Sequence, residues 1–242
     1  VTGFLALLQQ HNKNTHMGSL LRAETLKALV IHTAGEAGDA PGPDYIFGWG
    51  LLNTAKTANL ISHDQIDSKV IQEIILFEGQ PLSFNVSSDG TQPIKVTIAW
   101  GDPPGFPPAY QLNPRVAVLV NDLDVRITRD VDGQMYYPWK LDVENPSLAA
   151  TQDDNDVDNV EQIYIDKPLP GTYKITIDHK NTLKYGRQHF AMITTGVSFS
   201  QIPPHVVFVW EGKSNGQDYS GAYIPVSYTH LRAHETSLHL VC

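Results

Sequence analysis

Asp122 and Asp124 in "NDLDVRI", with Asp153, Asp154, Asp156 and Asp158 in "DDNDVDN", form the densest groups of chemistry-bearing side chains in the chain. In an extended backbone, residues two apart point to the same side, so Asp122 and Asp124 are expected to share a face. Carboxylates at that spacing repel one another unless a cation compensates them. Calcium suits such a group, because it takes about six to eight oxygen ligands in flexible geometry. The expected cofactor is therefore structural calcium, with Asp122, Asp124, Asp154, Asp156 and Asp158 as candidate ligands. The alternative is a solvated acidic loop capping a sheet edge. The stretch is not an EF-hand loop. Counted from Asp154, the glycine position holds Asn159 and the bidentate-glutamate position holds Ile165. Paired carboxylates also serve glycoside hydrolysis, but no second feature supports that chemistry.

Other reactive residues are weaker candidates. "GKSNG" (Gly212 to Gly216) fits the Gly-x-Ser-x-Gly pattern that holds a nucleophilic serine at a strand-to-helix turn. "QDYSGAYIP" after Ser214 has poor helical periodicity, so a polar turn is the better reading. His32 lies within the helical pattern "TLKALVIHTA" and reads as a packed or surface histidine rather than a base. Trp49 and Trp100 read as packing aromatics before ligand platforms.

The elements that must position these residues fall into two regimes. Through about residue 62 the apolar residues recur at helical spacing: Phe4, Leu5, Leu7 and Leu8, then Ala23, Leu26, Leu29 and Val30, then Ala55, Ala58 and Leu60 behind Asn53 as a cap. From about Lys69 the period changes to two. "KVIQEIILF", "LSFNVS", "IKVTIAW", "RVAVLV", "DVRIT", "VEQIYI", "TYKITIDH" and "HFAMITTGV" predict strands without intervening helices. The expected fold is an α/β remnant followed by an all-β antiparallel jelly-roll sandwich.

Composition excludes several classes. The formal charge is -9 and the basic residues are scattered, which argues against a nucleic-acid partner. No apolar run reaches the roughly 20 residues of a membrane-spanning helix. Cys242 is the only cysteine, so the chain holds no internal disulfide. The stretch "VSYTHLRAHET" (Val226 to Thr236) matches one translated frame of a sequencing-library adapter, and residues 226–242 are read as adapter-derived. His230, His234, His239 and Cys242 accordingly carry no expected function.

Three segments carry a family resemblance. "VTGFLALL", "LKALVIHTA" and "FGWGLLNTAKTA" stand in the order and at the separations of the last segments of a subtilisin-like serine peptidase domain. The resemblance implies that the nucleophile's Gly-Thr-Ser-x-Ala-x-Pro motif precedes Val1, with all three members of the Asp/His/Ser triad upstream. It implies peptide-bond hydrolysis by the parent enzyme, protein or peptide substrates, and secretion. No catalytic residue is expected within the chain. "PIKVTIAW", "LVNDLDVRI", "NVEQIYIDKPLPGTYKITI" and "FAMITTG" resemble the P-domain-like or galactose-binding-like sandwich that follows such catalytic domains, and related sandwiches bind calcium near these motifs. The expected organisation is residues 1–62 as the end of the peptidase domain, 66–198 as the sandwich, and 199–225 unassigned. A carbohydrate- or protein-binding module without catalysis remains the alternative, as does a purely structural appendage.

Overall fold

The two periodicities become two kinds of layer. The computed structural model describes residues 1–64, 69–107, 109–110 and 117–199, and two short strands at 213–214 and 217–218. Residues 1–200 form one compact unit and residues 201–242 another.

Three helices open the first unit: α1 (Thr2–Thr15), α2 (Ala23–Thr33) and α3 (Thr54–Asp64). Asn53 caps α3 as its position suggested, its side-chain oxygen accepting the Lys56 N–H at 2.9 Å. The approach to that cap is a glycine turn. Gly48 and Gly50 have φ of 61° and 99°, and a Cβ on Gly50 would stand 2.1 Å from the Gly35 carbonyl oxygen. Gly35 and Leu51 exchange both backbone hydrogen bonds at 2.8 Å across this contact. Glycine at position 50 is required both by dihedral and by space.

The remainder is antiparallel β-structure in two main sheets. The first contains β1 (Ile71–Phe77), β3 (Ile94–Trp100), β8 (Val160–Ile165) and β10 (Arg187–Thr195), ordered β1-β10-β3-β8. The second contains β2 (Leu82–Ser88), β4 (Asp122–Arg129), β5 (Met135–Tyr136), β9 (Gly171–Lys180) and β11 (Ser198–Phe199), ordered β11-β2-β9-β4-β5. A small pair, β6 (Trp139–Lys140) with β7 (Thr151–Gln152), stands apart. Alternating side chains of both main sheets meet in one core, including Val96 and Ile98 of β3, Val125 of β4, Ile163 of β8, Ile175 of β9 and Phe190 of β10.

"RVAVLV" departs from its expected strand. Arg115 and Val116 lie outside the described residues, and 117–120 carry no strand. The Asp102 carboxylate accepts the Val120 and Asn121 N–H groups at 2.8 Å each, so these donors serve a loop rather than a ladder.

The helices close the opposite face of the first sheet. Leu8, Ala28, Leu29 and Ile61 pack with Ala99 of β3, Val160 of β8 and Ala191 and Ile193 of β10 in a second core. The segments assigned from sequence to separate domains at 1–62 and 66–198 thus share packed surface within one unit.

His32 pins this layer. It is buried, with Nδ1 2.9 Å from Thr97 Oγ1 and Nε2 3.0 Å from Thr195 Oγ1. Burial, and then the charges of Lys95 and Lys56, hold its pKa well below the ordinary 6.5. Lys95 is itself brought down to about 8, by burial and then by Lys56. The unfolded chain therefore binds a proton that the folded chain refuses, so this histidine's contribution to stability is intact above pH 6.5 and is lost as pH falls below it. Denaturant titrations at about pH 7.5 and about pH 5.5 are expected to show the wild type losing about 1 kcal/mol more than His32→Gln, which removes this titration.

Candidate functional site

The charged face follows from the alternation of β4. Leu123, Val125 and Ile127 point into the core, which leaves Asp122, Asp124 and Arg126 together on the outer face. Pairing with β9 sets Asp122 opposite Lys180 and Asp124 opposite Asp178. The segment after β7 adds Asp154.

Lys180 stands at the centre. Its Nζ lies 2.8 Å from Asp154 Oδ2, 3.3 Å from Asp122 Oδ2 and 3.4 Å from Asp124 Oδ1. Arg126 completes the group: one guanidinium nitrogen lies 2.7 Å from Asp124 Oδ1 and also bonds Asp154. The Arg126 guanidinium further stacks over the Tyr137 ring, 5.0 Å from its centroid.

Burial shapes the protonation of this group. Asp124 is pushed up to about 6, chiefly by burial, against the opposing pull of Arg126 and Lys180. Asp122 is raised for the same leading reason. Burial would also raise Asp154, but its close pairing with Lys180, the adjoining Asp124 side chain and the charges of Lys180 and Arg126 carry it below the ordinary value. Burial would lower Lys180, but its close ion pairing with Asp154 and the Asp124 and Asp122 charges outweigh it and hold the ammonium above its usual range.

Beneath the face lies Glu161 of β8, fully buried. β5 pairs only with Ile127 and Thr128, so among the described residues the upstream edge of β4 has no strand beside it on that side. Glu161 Oε2 caps that edge by accepting the Val125 N–H at 2.7 Å, and lies 3.8 Å from Arg126. Among the described residues its Oε1 has no hydrogen-bond partner. Burial raises the Glu161 pKa well above the ordinary carboxylate value, with Asp124 and Asp122 adding to the shift.

Of the five expected ligands, Asp122, Asp124 and Asp154 are brought together. Asp156 and Asp158 are not: Asp156 faces Lys140 at 3.7 Å, and Asp158 accepts from the Asn155 amide at 3.1 Å. The free oxygens Asp122 Oδ1 and Glu161 Oε1 suit a cation, but the space among the three grouped aspartates is held by Lys180 and Arg126. In this arrangement the expected set does not fit a calcium ion.

Sequence reasoning missed Arg126, Lys180 and Glu161. Arg126 was readable, since it continues the period-two face of Asp122 and Asp124. Glu161 left a trace too, standing in alternation with Ile163 and Ile165 on an inward face. Lys180 left none, because its place depends on a non-local register.

The remaining candidates are structural. Trp100 is buried, donating its indole N–H to the Asn121 carbonyl at 2.8 Å, and Trp49 packs against the helical core. In the second unit, Lys213–Ser214 pairs antiparallel with Gln217–Asp218. The described element that follows Ser214 is thus a strand, where a nucleophile elbow needs a helix. His230, His234, His239 and Cys242 lie outside the described residues. Among the described residues, no helix is long and apolar enough to cross a membrane.

No protein-family model matches the chain, and no curated protein matches it.

Glu161 generates a test of the buried edge. Its raised pKa means that its contribution to stability is complete below the ordinary carboxylate value of 4.5 and is lost as pH rises towards the folded value. Glu161→Gln keeps an acceptor for Val125 and removes the ionisation. It is expected to lie within about 1 kcal/mol of wild type near pH 5 and to gain on it near pH 8. Glu161→Ala strands the Val125 N–H and is expected to cost about 2–4 kcal/mol in denaturant titrations.

Proposed function

We propose that this chain is the C-terminal part of a secreted subtilisin-like serine endopeptidase, in which the helical layer ends the catalytic domain and the two-sheet body is its jelly-roll companion. The observation that carries the reading is the glycine turn before α3. The motif on which the resemblance rests demands two glycines and an asparagine cap, and Gly48, Gly50 and Asn53 each meet a physical need here: left-handed dihedrals, a close approach to Gly35, and the Lys56 N–H.

Two further features support it. Val1 and Leu7 of the α1 segment, and Ile46, Phe47 and Leu51 of the connection between α2 and α3, stand exposed, apolar side chains that further protein packed there would cover. In the body, successive long strands from β2 to β4 and from β8 to β10 alternate between the two sheets, as a jelly roll requires.

On this reading the reaction is acyl transfer by an upstream triad. The serine would sit at a helix N-terminus, where free N–H groups and the helix dipole stabilise the developing oxyanion. This chain supplies packing, not chemistry.

A second reading, a binding module without catalysis, draws on Phe106 and Tyr185, which stand exposed on two connections joined by the Lys184 ammonium and the Pro104 carbonyl at 3.1 Å. Glycan-array binding by the chain would favour it.

The coding sequence upstream of Val1 tests the first reading. It is expected to encode Gly-Thr-Ser-x-Ala-x-Pro, and the extended protein is expected to cleave peptide amides. Serine-to-alanine substitution in that motif should lower kcat by about 10⁴-fold or more, while Ser214→Ala leaves it unchanged. A different upstream sequence, or activity surviving the motif substitution, overturns the assignment.

A further inference from the structure

We propose that the acidic face of β4 is held together by the chain's own cations, the Lys180 ammonium occupying the place among Asp122, Asp124 and Asp154 that a divalent ion would take. The geometry is that of a cation site with a tethered cation. One ammonium lies within 3.4 Å of three separate carboxylates. Arg126 bonds two of the same three and reaches towards Glu161. Asp122 and Asp124 are mostly sheltered from water, with side chains 14% and 13% exposed, so leaving them uncompensated would carry a real desolvation cost.

The balance of charge supports the assignment. Three aspartates face two permanent cations, and Glu161 is driven towards its neutral form by burial, so the cluster is near compensation without a metal. A calcium ion would have to displace Lys180, whose four-carbon stem starts in β9 directly opposite Asp122. It would meet the positive charge of Arg126 as well. Asp156 and Asp158, which would complete an oxygen shell, are turned to Lys140 and Asn155. The tether also fixes register: Lys180 can serve these carboxylates only when β9 pairs with β4 as observed. The inference does not depend on the peptidase reading.

Thermal melting of the full 242-residue chain in millimolar calcium chloride, and separately in excess chelator, tests it. The wild-type midpoints are expected to agree within about 1 °C. A fall of several degrees in chelator overturns the proposal, because a bound divalent ion stabilises by mass action. Lys180→Met removes the tethered cation. Its midpoint is expected to drop by about 2–6 °C and to recover in part on adding calcium. Lys180→Met melting at the wild-type midpoint would also overturn it. Calorimetric calcium titration of the wild type and of Lys180→Arg provides an arm that needs no destabilised variant: flat heats support the proposal, and saturable binding defeats it.

Discussion

The first sheet is buried on both faces, and the rest of the unit is arranged around that fact. β3 sends Val96, Ile98 and Trp100 into the core shared with the second sheet, while Ala99 turns to the helices. β10 does the same with Phe190 and Met192 on one side and Ala191 and Ile193 on the other. Small residues on the helical side let α2 approach through Ala28. Such a sheet is costly to leave half covered, since apolar area returns to water at roughly 25 cal/mol per Å². The helical layer is therefore the sheet's second cover.

A double-faced sheet also raises a problem of polar satisfaction, and His32 shows how it is met. A helix laid on strands brings backbone and side-chain polar groups into a dry interface. Thr97 and Thr195 supply hydroxyls that serve either ring tautomer, so the imidazole stays neutral without a carboxylate partner. Thr97 Oγ1 is shared again, accepting from the Gln162 amide at 3.0 Å. The interface is thus specified by hydrogen bonds as well as by packing.

Much of this was legible in the sequence where the signal is local. Helical spacing found all three helices, and Asn53 marked the start of the third. Seven of the eight expected strand segments contain a long strand, because β-branched alternation survives in each. At "RVAVLV" the described residues 117–120 carry no strand, and the last of them, Val120, gives its N–H to the Asp102 carboxylate, 18 residues away, rather than to a ladder. That the helical layer and the sandwich share a packed face was not read, for a related reason. In β3 Thr97 and Ala99, and in β10 Ala191 and Ile193, fall between core positions where a solvent-facing strand would carry charge, and that departure from strict alternation was the available sign of a second buried face.

The acidic face carries the same lesson into electrostatics. A sequence displays carboxylates at their spacing but hides the cation that another strand brings to them, so a cluster of aspartates reads as a demand for metal. Lys180 is 58 residues beyond Asp122 and becomes its neighbour only through the β4–β9 register. Glu161 comes from the other sheet and stands in for a strand that β5 is too short to supply. Charge compensation here is a property of the topology: the second sheet's pairing places the ammonium, and the first sheet's inward glutamate closes the edge. A register slip of one residue would turn Lys180 to the opposite face and leave the aspartates uncompensated, so the ion cluster and the strand pairing select one another.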